Sequence, residues 1–299
     1  MTRISLNRNG GGFLDKHLIS VPRQVENNYE GFHFLSKSYQ SIKGIKKCKV
    51  TYDFSKTVWF EANLVSVLST LFEAHRFNDC HVELRNVSEK IRKIFKKNGF
   101  YDYYNLGQEF DEFGSTITFK KFDCNDEEGF THYLDEEVIP KIQLPLSDIQ
   151  VRKFKNCLQE VFVNVGLHAH SNHVFTCGQY YPEKKKVAFT ITDIGKTIAY
   201  NVRKKMPEKE IVDCDAIDWA TQFGNTTKID GDGGIGLALI REYLCGNGKF
   251  QIISGNGYWE SEEGEVYSRK MNTYFEGTII NIVSDLKKNI DIPKQTILF

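Results

Sequence analysis

Residues 157–171 read CLQEVFVNVGLHAHS, and the apolar side chains Leu158, Val161, Phe162, Val165 and Ala169 recur in it at helical spacing. At 100° per residue from Glu160, the apolar set falls at about 100–200°, whereas Glu160, Asn164, His168 and Ser171 fall at about 0°, 40°, 80° and 20°. Ser147 or Asp148 can cap the start of this helix. One long helix therefore buries an apolar stripe and carries Glu, Asn, His and Ser along a second one. Taken alone, that second stripe also describes an ordinary solvated face.

Two segments further along give the stripe a context. Residues 186–192, KVAFTIT, read as a strand by alternation and β-branching, and the strand ends in Asp193-Ile194-Gly195. A long polar stretch, 196–230, separates it from GDGGIGLALI at 231–240. There Gly231, Gly233, Gly234 and Gly236 permit close backbone approach, and the apolar run behind them opens a helix. Backbone N–H groups of such a loop at a helix N-terminus form a local anion site. A dinucleotide fold would place these glycines directly after its first strand, which is not the arrangement here.

Taken in this order, the three segments resemble the GHKL nucleotide-binding fold of type II topoisomerases, mismatch-repair ATPases, certain chaperones and bacterial histidine and anti-sigma kinases. CLQEVFVNVGLHAHS resembles its N box, ITDIGKTI (191–198) its DxGxG element, and TTKIDGDGGIGLALIREYL (226–244) its second glycine box. GKFQIISGNG (248–257) and FEGTIINIV (275–283) are similar to its closing strands. The resemblance implies ATP and Mg²⁺ as ligands, with the Asn164 amide oxygen on the metal and His168 in the nucleotide site. It further implies Asp193 accepting from the adenine amino group, Gly195 admitting the base and Thr278 reaching adenine. Gly231, Gly233, Gly234 and Gly236 would wrap the phosphates, Lys228 would reach the terminal one, and 196–230 would be the lid. Glu160 would be the catalytic base that activates water or a hydroxyl. Thr197 stands where the family has its second glycine.

In the N-terminal half, residues 50–72 and 81–100 read as strand, amphipathic helix, strand and helix, an order that favours a parallel pair. Val58-Trp59-Phe60 can continue the first strand's edge, and Asn98-Gly99 is a good helix stop. This segment resembles the STAS fold of anti-sigma-factor antagonists, except that 60–64, FEANL, lacks the phosphorylatable serine of signalling members. The expected organisation is α/β throughout: an STAS-like domain over 1–145 and a GHKL (Bergerat) α/β sandwich over 146–299, with Pro140 and Pro145 punctuating the boundary.

Lys and Arg total 39 and Asp and Glu total 39, with 20 of each sign before residue 147. Neither half has the charge surplus of a protein that lives on nucleic acid or anionic lipid, so neither is expected as a partner. Seven scattered cysteines without a CxxC pair point to reduced thiols in a cytoplasm rather than a disulfide framework or zinc site. The spacing of His168, His170 and His173 argues against zinc as well. The reading that results is a cytoplasmic Mg-ATP-dependent ATPase or nucleotide-gated signalling switch with a protein partner, dimerisation being open. The alternatives are a serine/threonine kinase of the anti-sigma type and a catalytically silent ATP-binding module.

Overall fold

The structure, a computed structural model, describes residues 3–5, 15–141, 147–227, 235–246 and 248–285. Its N-terminal elements are β1 (Arg3–Ser5), β2 (Lys16–Ser20), β3 (Gln24–Val25), α1 (Tyr29–Ile42), β4 (Lys49–Asp53) and β5 (Trp59–Phe60), then α2 (Val65–Phe77), β6 (His81–Arg85), α3 (Glu89–Lys97) and α4 (Phe100–Tyr103). There follow β7 (Thr116–Asp123), α5 (Glu127–Tyr133), α6 (Asp148–Asn164), β8 (His173–Tyr181), β9 (Lys186–Asp193), α7 (Ile198–Lys205), α8 (Asp213–Ala220), α9 (Gly236–Leu244), β10 (Gly248–Glu262) and β11 (Glu265–Asp285).

The first sheet has the strand order β1-β6-β4-β2. β4 and β6 form the expected parallel pair, with Lys49 opposite His81, and β2 adds to β4 in the same sense. Trp59 and Phe60 do not extend β4. Thr57 N–H donates to the Phe54 carbonyl at 2.9 Å, and this turn redirects the chain so that β5 pairs with β3 instead. The α3 helix starts on a Ser88 cap and stops where Asn-Gly predicts, Gly99 taking a φ of +77° that an L side chain resists.

The second sheet is antiparallel, in the order β10-β11-β9-β8-β7. Its edge strand β7 lies upstream of the expected boundary at residue 146, which itself falls outside the described residues. Phe122 of β7 and Phe130 of α5 bury against Phe162 of α6, the last two rings stacked 4.3 Å apart. The chain before 146 thus supplies an edge strand and its covering helix to the C-terminal sheet. Pro140 follows α5 inside that unit, and Pro145 lies outside the described residues.

Strand alternation sends side chains to two different cores. Phe189, Ile191, Ile280 and Ile282 pack with α5, α6 and α9 on one face. Phe175, Cys177, Ile253 and Ile279 pack on the other with α1, α2 and the first sheet. Covering on both faces explains why 187–193 is buried throughout, the Thr190 and Thr192 hydroxyls included.

Asn63 joins the halves across that second face. Fully buried, its amide nitrogen lies 2.7 Å from Asn27 Oδ1, 2.8 Å from Thr190 Oγ1 and 2.9 Å from Asn281 Oδ1, its two N–H groups shared among the three acceptors. Asn281 in turn donates to Gln251 Oε1 at 2.7 Å. A buried polar chain of this kind is costly to break, because each orphaned acceptor loses its water without compensation. Asn63→Ala is therefore expected to lower stability by about 2–3 kcal/mol. Urea denaturation checks this, and the halves should unfold in one transition in both proteins, since they share a core.

Candidate functional site

The two stripes of α6 separate as the periodicity requires. Leu158, Val161 and Phe162 are buried in the core, while Glu160 and Asn164, one turn apart, line a cleft above the second sheet. The helix then widens into a π-helical turn over Val165–Ala169 and ends on His170 at φ +51°. His168 still lines the cleft, with its Nδ1 3.3 Å from Thr227 Oγ1. Ser171, expected on the same stripe, has left it. The wider turn and the left-handed residue rotate Ser171 away, and its hydroxyl donates to the His173 carbonyl at 2.9 Å.

Asp193 closes β9 and pairs in register with Thr278 of β11; both line the cleft. Gly277, at φ +109°, makes that approach possible, since a Cβ there would run into the backbone of Asp193 and Ile194. The Thr278 hydroxyl lies 3.0 Å from Ser254 Oγ. Asp193 is 1% exposed, and its Oδ1 has no hydrogen-bond partner among the described residues. Burial pushes its carboxyl well above the ordinary range, opposed by a hydrogen bond from the Thr278 backbone N–H. A buried carboxyl oxygen without a partner is costly unless something completes it.

Gly195 and Gly236 do more local work than the sequence suggested. A Cβ on Gly195 would collide with the Ala169 carbonyl, which accepts from Lys196 N–H at 2.6 Å. The missing side chain docks the end of β9 against the end of the α6 π-turn. A Cβ on Gly236 would occupy the space of the Glu160 side chain, so the start of α9 rests on that carboxylate's stem. Lys228, Gly231, Gly233 and Gly234 lie outside the described residues.

The polar stretch after Gly195 is not a bare loop. Thr197 is the N-cap of α7, its hydroxyl accepting from Tyr200 N–H at 3.1 Å, with φ −72°. Threonine serves at this position because capping, and no positive φ, is what the backbone requires. Ala199 and Val202 of α7 bury against Ala216 of α8. Asp213 at the start of α8 receives the Arg203 guanidinium and the Asn256 N–H, the latter at 2.8 Å. This folded flap carries Trp219, Asn225, Thr226 and Thr227 to the cleft wall.

The cleft encloses about 840 Å³ of empty space, open solvent included. Besides these flap residues, two polar lining residues close to Asp193 in the chain escaped the sequence reading. Asn201 donates to the His168 carbonyl at 2.9 Å, and Lys196 stands with its ammonium 4.8 Å from the centre of the Tyr200 ring. Their only signal was proximity to Asp193. Neither the Glu160 carboxylate nor the Asn164 amide takes a hydrogen bond or ion pair among the described residues. Their oxygens are hard donors of the kind Mg²⁺ accepts. No protein-family model matches this chain, and no curated protein matches it significantly.

Proposed function

We propose that the cleft binds ATP with Mg²⁺, in a GHKL-type fold, and that the protein is an ATPase or a switch driven by nucleotide binding. The observation that carries this reading is Asp193: a buried carboxyl at a strand end, one oxygen without a partner among the described residues, beside Thr278 in an open cleft. An exocyclic amino group of adenine is the kind of donor that would complete it. Asn164 would hold the metal, whose charge offsets that of the phosphates. Glu160, on the same face one turn earlier, would accept a proton from the attacking water.

The parallel β2-β4-β6 set and its helices support an STAS-like reading of the N-terminal half. Asn63 falls inside 60–64, where signalling relatives of that fold carry their serine. Here the stretch is used to hold the two halves together, in keeping with an intramolecular role in place of a phospho-switch.

Titration calorimetry tests the assignment. Mg-ATP is expected to bind in the micromolar range of ordinary nucleotide sites, about −8 kcal/mol, and EDTA should weaken binding at least about tenfold. Asn164→Ala should lose that sensitivity to EDTA while retaining weak binding of metal-free nucleotide. No heat of binding and no thermal shift with ATP in the unsubstituted chain would remove the proposal.

A further inference from the structure

Cys48 and Cys80 are 32 positions apart in the sequence, yet their Sγ atoms lie 3.1 Å apart. Their proximity follows from the first sheet. Lys49 and His81 are partners in the parallel ladder, so each cysteine is the residue just before its strand. Adjacent strands run about 4.8 Å apart, which falls within the Cα spacing of about 4.4–6.8 Å that a disulfide spans.

The pair sits at a rim. Lys47 and Asp79, the residues before the two cysteines, are exposed and take φ of +54° and +57°, left-handed values that cost energy for residues other than glycine. Lys47 N–H donates to the Asn78 carbonyl at 3.0 Å, tying the two entry turns together. Both thiols are fully buried. Burial and the neighbouring thiol push Cys48 up to about 12, so the closed state presents a protonated, unreactive sulfur. Reaction would run through local opening of these two turns.

We propose that Cys48 and Cys80 are a redox pair that closes to a disulfide by exchange with a low-molecular-weight disulfide such as oxidised glutathione. One protein thiolate attacks a glutathione sulfur, forming a mixed disulfide and releasing one glutathione thiolate. The second protein thiolate attacks the protein sulfur of that mixed disulfide. A Cys48–Cys80 bond forms, the mixed S–S bond breaks, and a second glutathione leaves. The protein loses two electrons and two protons, and both are recovered in two glutathione thiols. The product clips β4 to β6 at the end of the sheet and constrains the 43–48 and 78–80 turns.

The full chain, reduced, unfolded and then refolded in a glutathione redox buffer, tests this without depending on access to the buried thiols. Acid quenching, alkylation and non-reducing peptide mass spectrometry should find the Cys48 and Cys80 peptides linked with the loss of two hydrogens. Exposed Cys245 should carry glutathione or alkyl groups. The linked protein should melt higher than the reduced one, and dithiothreitol should reverse the difference. Cys48→Ser should abolish the link, and Cys157, Cys177 and Cys214 should remain alkylatable. If both thiols are recovered alkylated while Cys245 is fully glutathionylated, or if Cys48 and Cys80 link to other cysteines, the proposal is wrong.

Discussion

Asp193→Asn is expected to bind Mg-ATP at least about 100-fold more weakly than the parent chain and yet to melt at a higher temperature. The two effects have one origin. The carboxyl is fully buried, and Oδ1 has no partner among the described residues. Its pKa in the fold is raised far above the unfolded value of about 3.9. The folded chain therefore holds a proton that the unfolded chain releases, so this residue's penalty grows as pH rises from the unfolded pKa towards the folded one. Asparagine keeps the shape and does not ionise, so that slope disappears and the variant gains stability at neutral pH. The same amide would keep an oxygen for the Thr278 N–H and turn its NH₂ into the cleft. There it would oppose the adenine amino group, donor against donor, a mismatch that costs about 3 kcal/mol. Differential scanning calorimetry across pH and titration with Mg-ATP read the two halves of the prediction separately. Unchanged ATP affinity would show that Asp193 does not read the base. Lower stability at neutral pH would show that its burial carries no such penalty.

How much of this site was legible follows from which physical signals are periodic. Glu160 and Asn164 reached the cleft because a 3.6-residue repeat separates a helix's faces wherever the helix is regular. Ser171 failed the same arithmetic because the π-turn at Val165–Ala169 changes the rotation per residue, and nothing in VGLHA announces that. Asp193 was visible as a carboxylate at the end of an apolar strand. Its missing partner was not, since that depends on what faces it in three dimensions. The stretch 196–230 looked like loop because α7 and α8 are short and bury little apart from Ala199, Val202, Cys214, Ala216 and Ile217. Their placement rests on tertiary contacts, Asp213 to Asn256 and the Trp259 indole N–H to Asp218 Oδ1 at 2.9 Å. The strand-like run at 116–123 was hidden behind the proline-rich connection that suggested a boundary. Alternation and β-branching in 186–192 marked a strand but not how many of its faces are covered, and the second cover, the N-terminal half, is supplied only by the fold. Cys48 and Cys80 looked scattered because only the parallel register of β4 and β6 brings them together.

Glu160→Gln is expected to leave Mg-ATP affinity within about threefold of the parent and to lower phosphate release by about 10²–10⁴-fold, the usual contribution of a positioned general base. Glutamine is the informative substitution because the Glu160 stem fills the space beside Gly236. Shortening the side chain would also unseat the start of α9 and confuse support with chemistry. Glutamine preserves that packing and can still orient a water, but it cannot take a proton. A residue that merely propped α9 would tolerate the exchange in both assays. A residue that only bound the metal would lose affinity in step with rate. Loss of turnover at constant affinity belongs to a group acting on the nucleophile in the transition state. Phosphate release at the parent rate would exclude Glu160 as the base. Label carried from the γ-phosphate onto a protein, again dependent on Glu160, would keep its role and change the nucleophile from water to a side-chain hydroxyl, since the proton to be removed is equivalent in both.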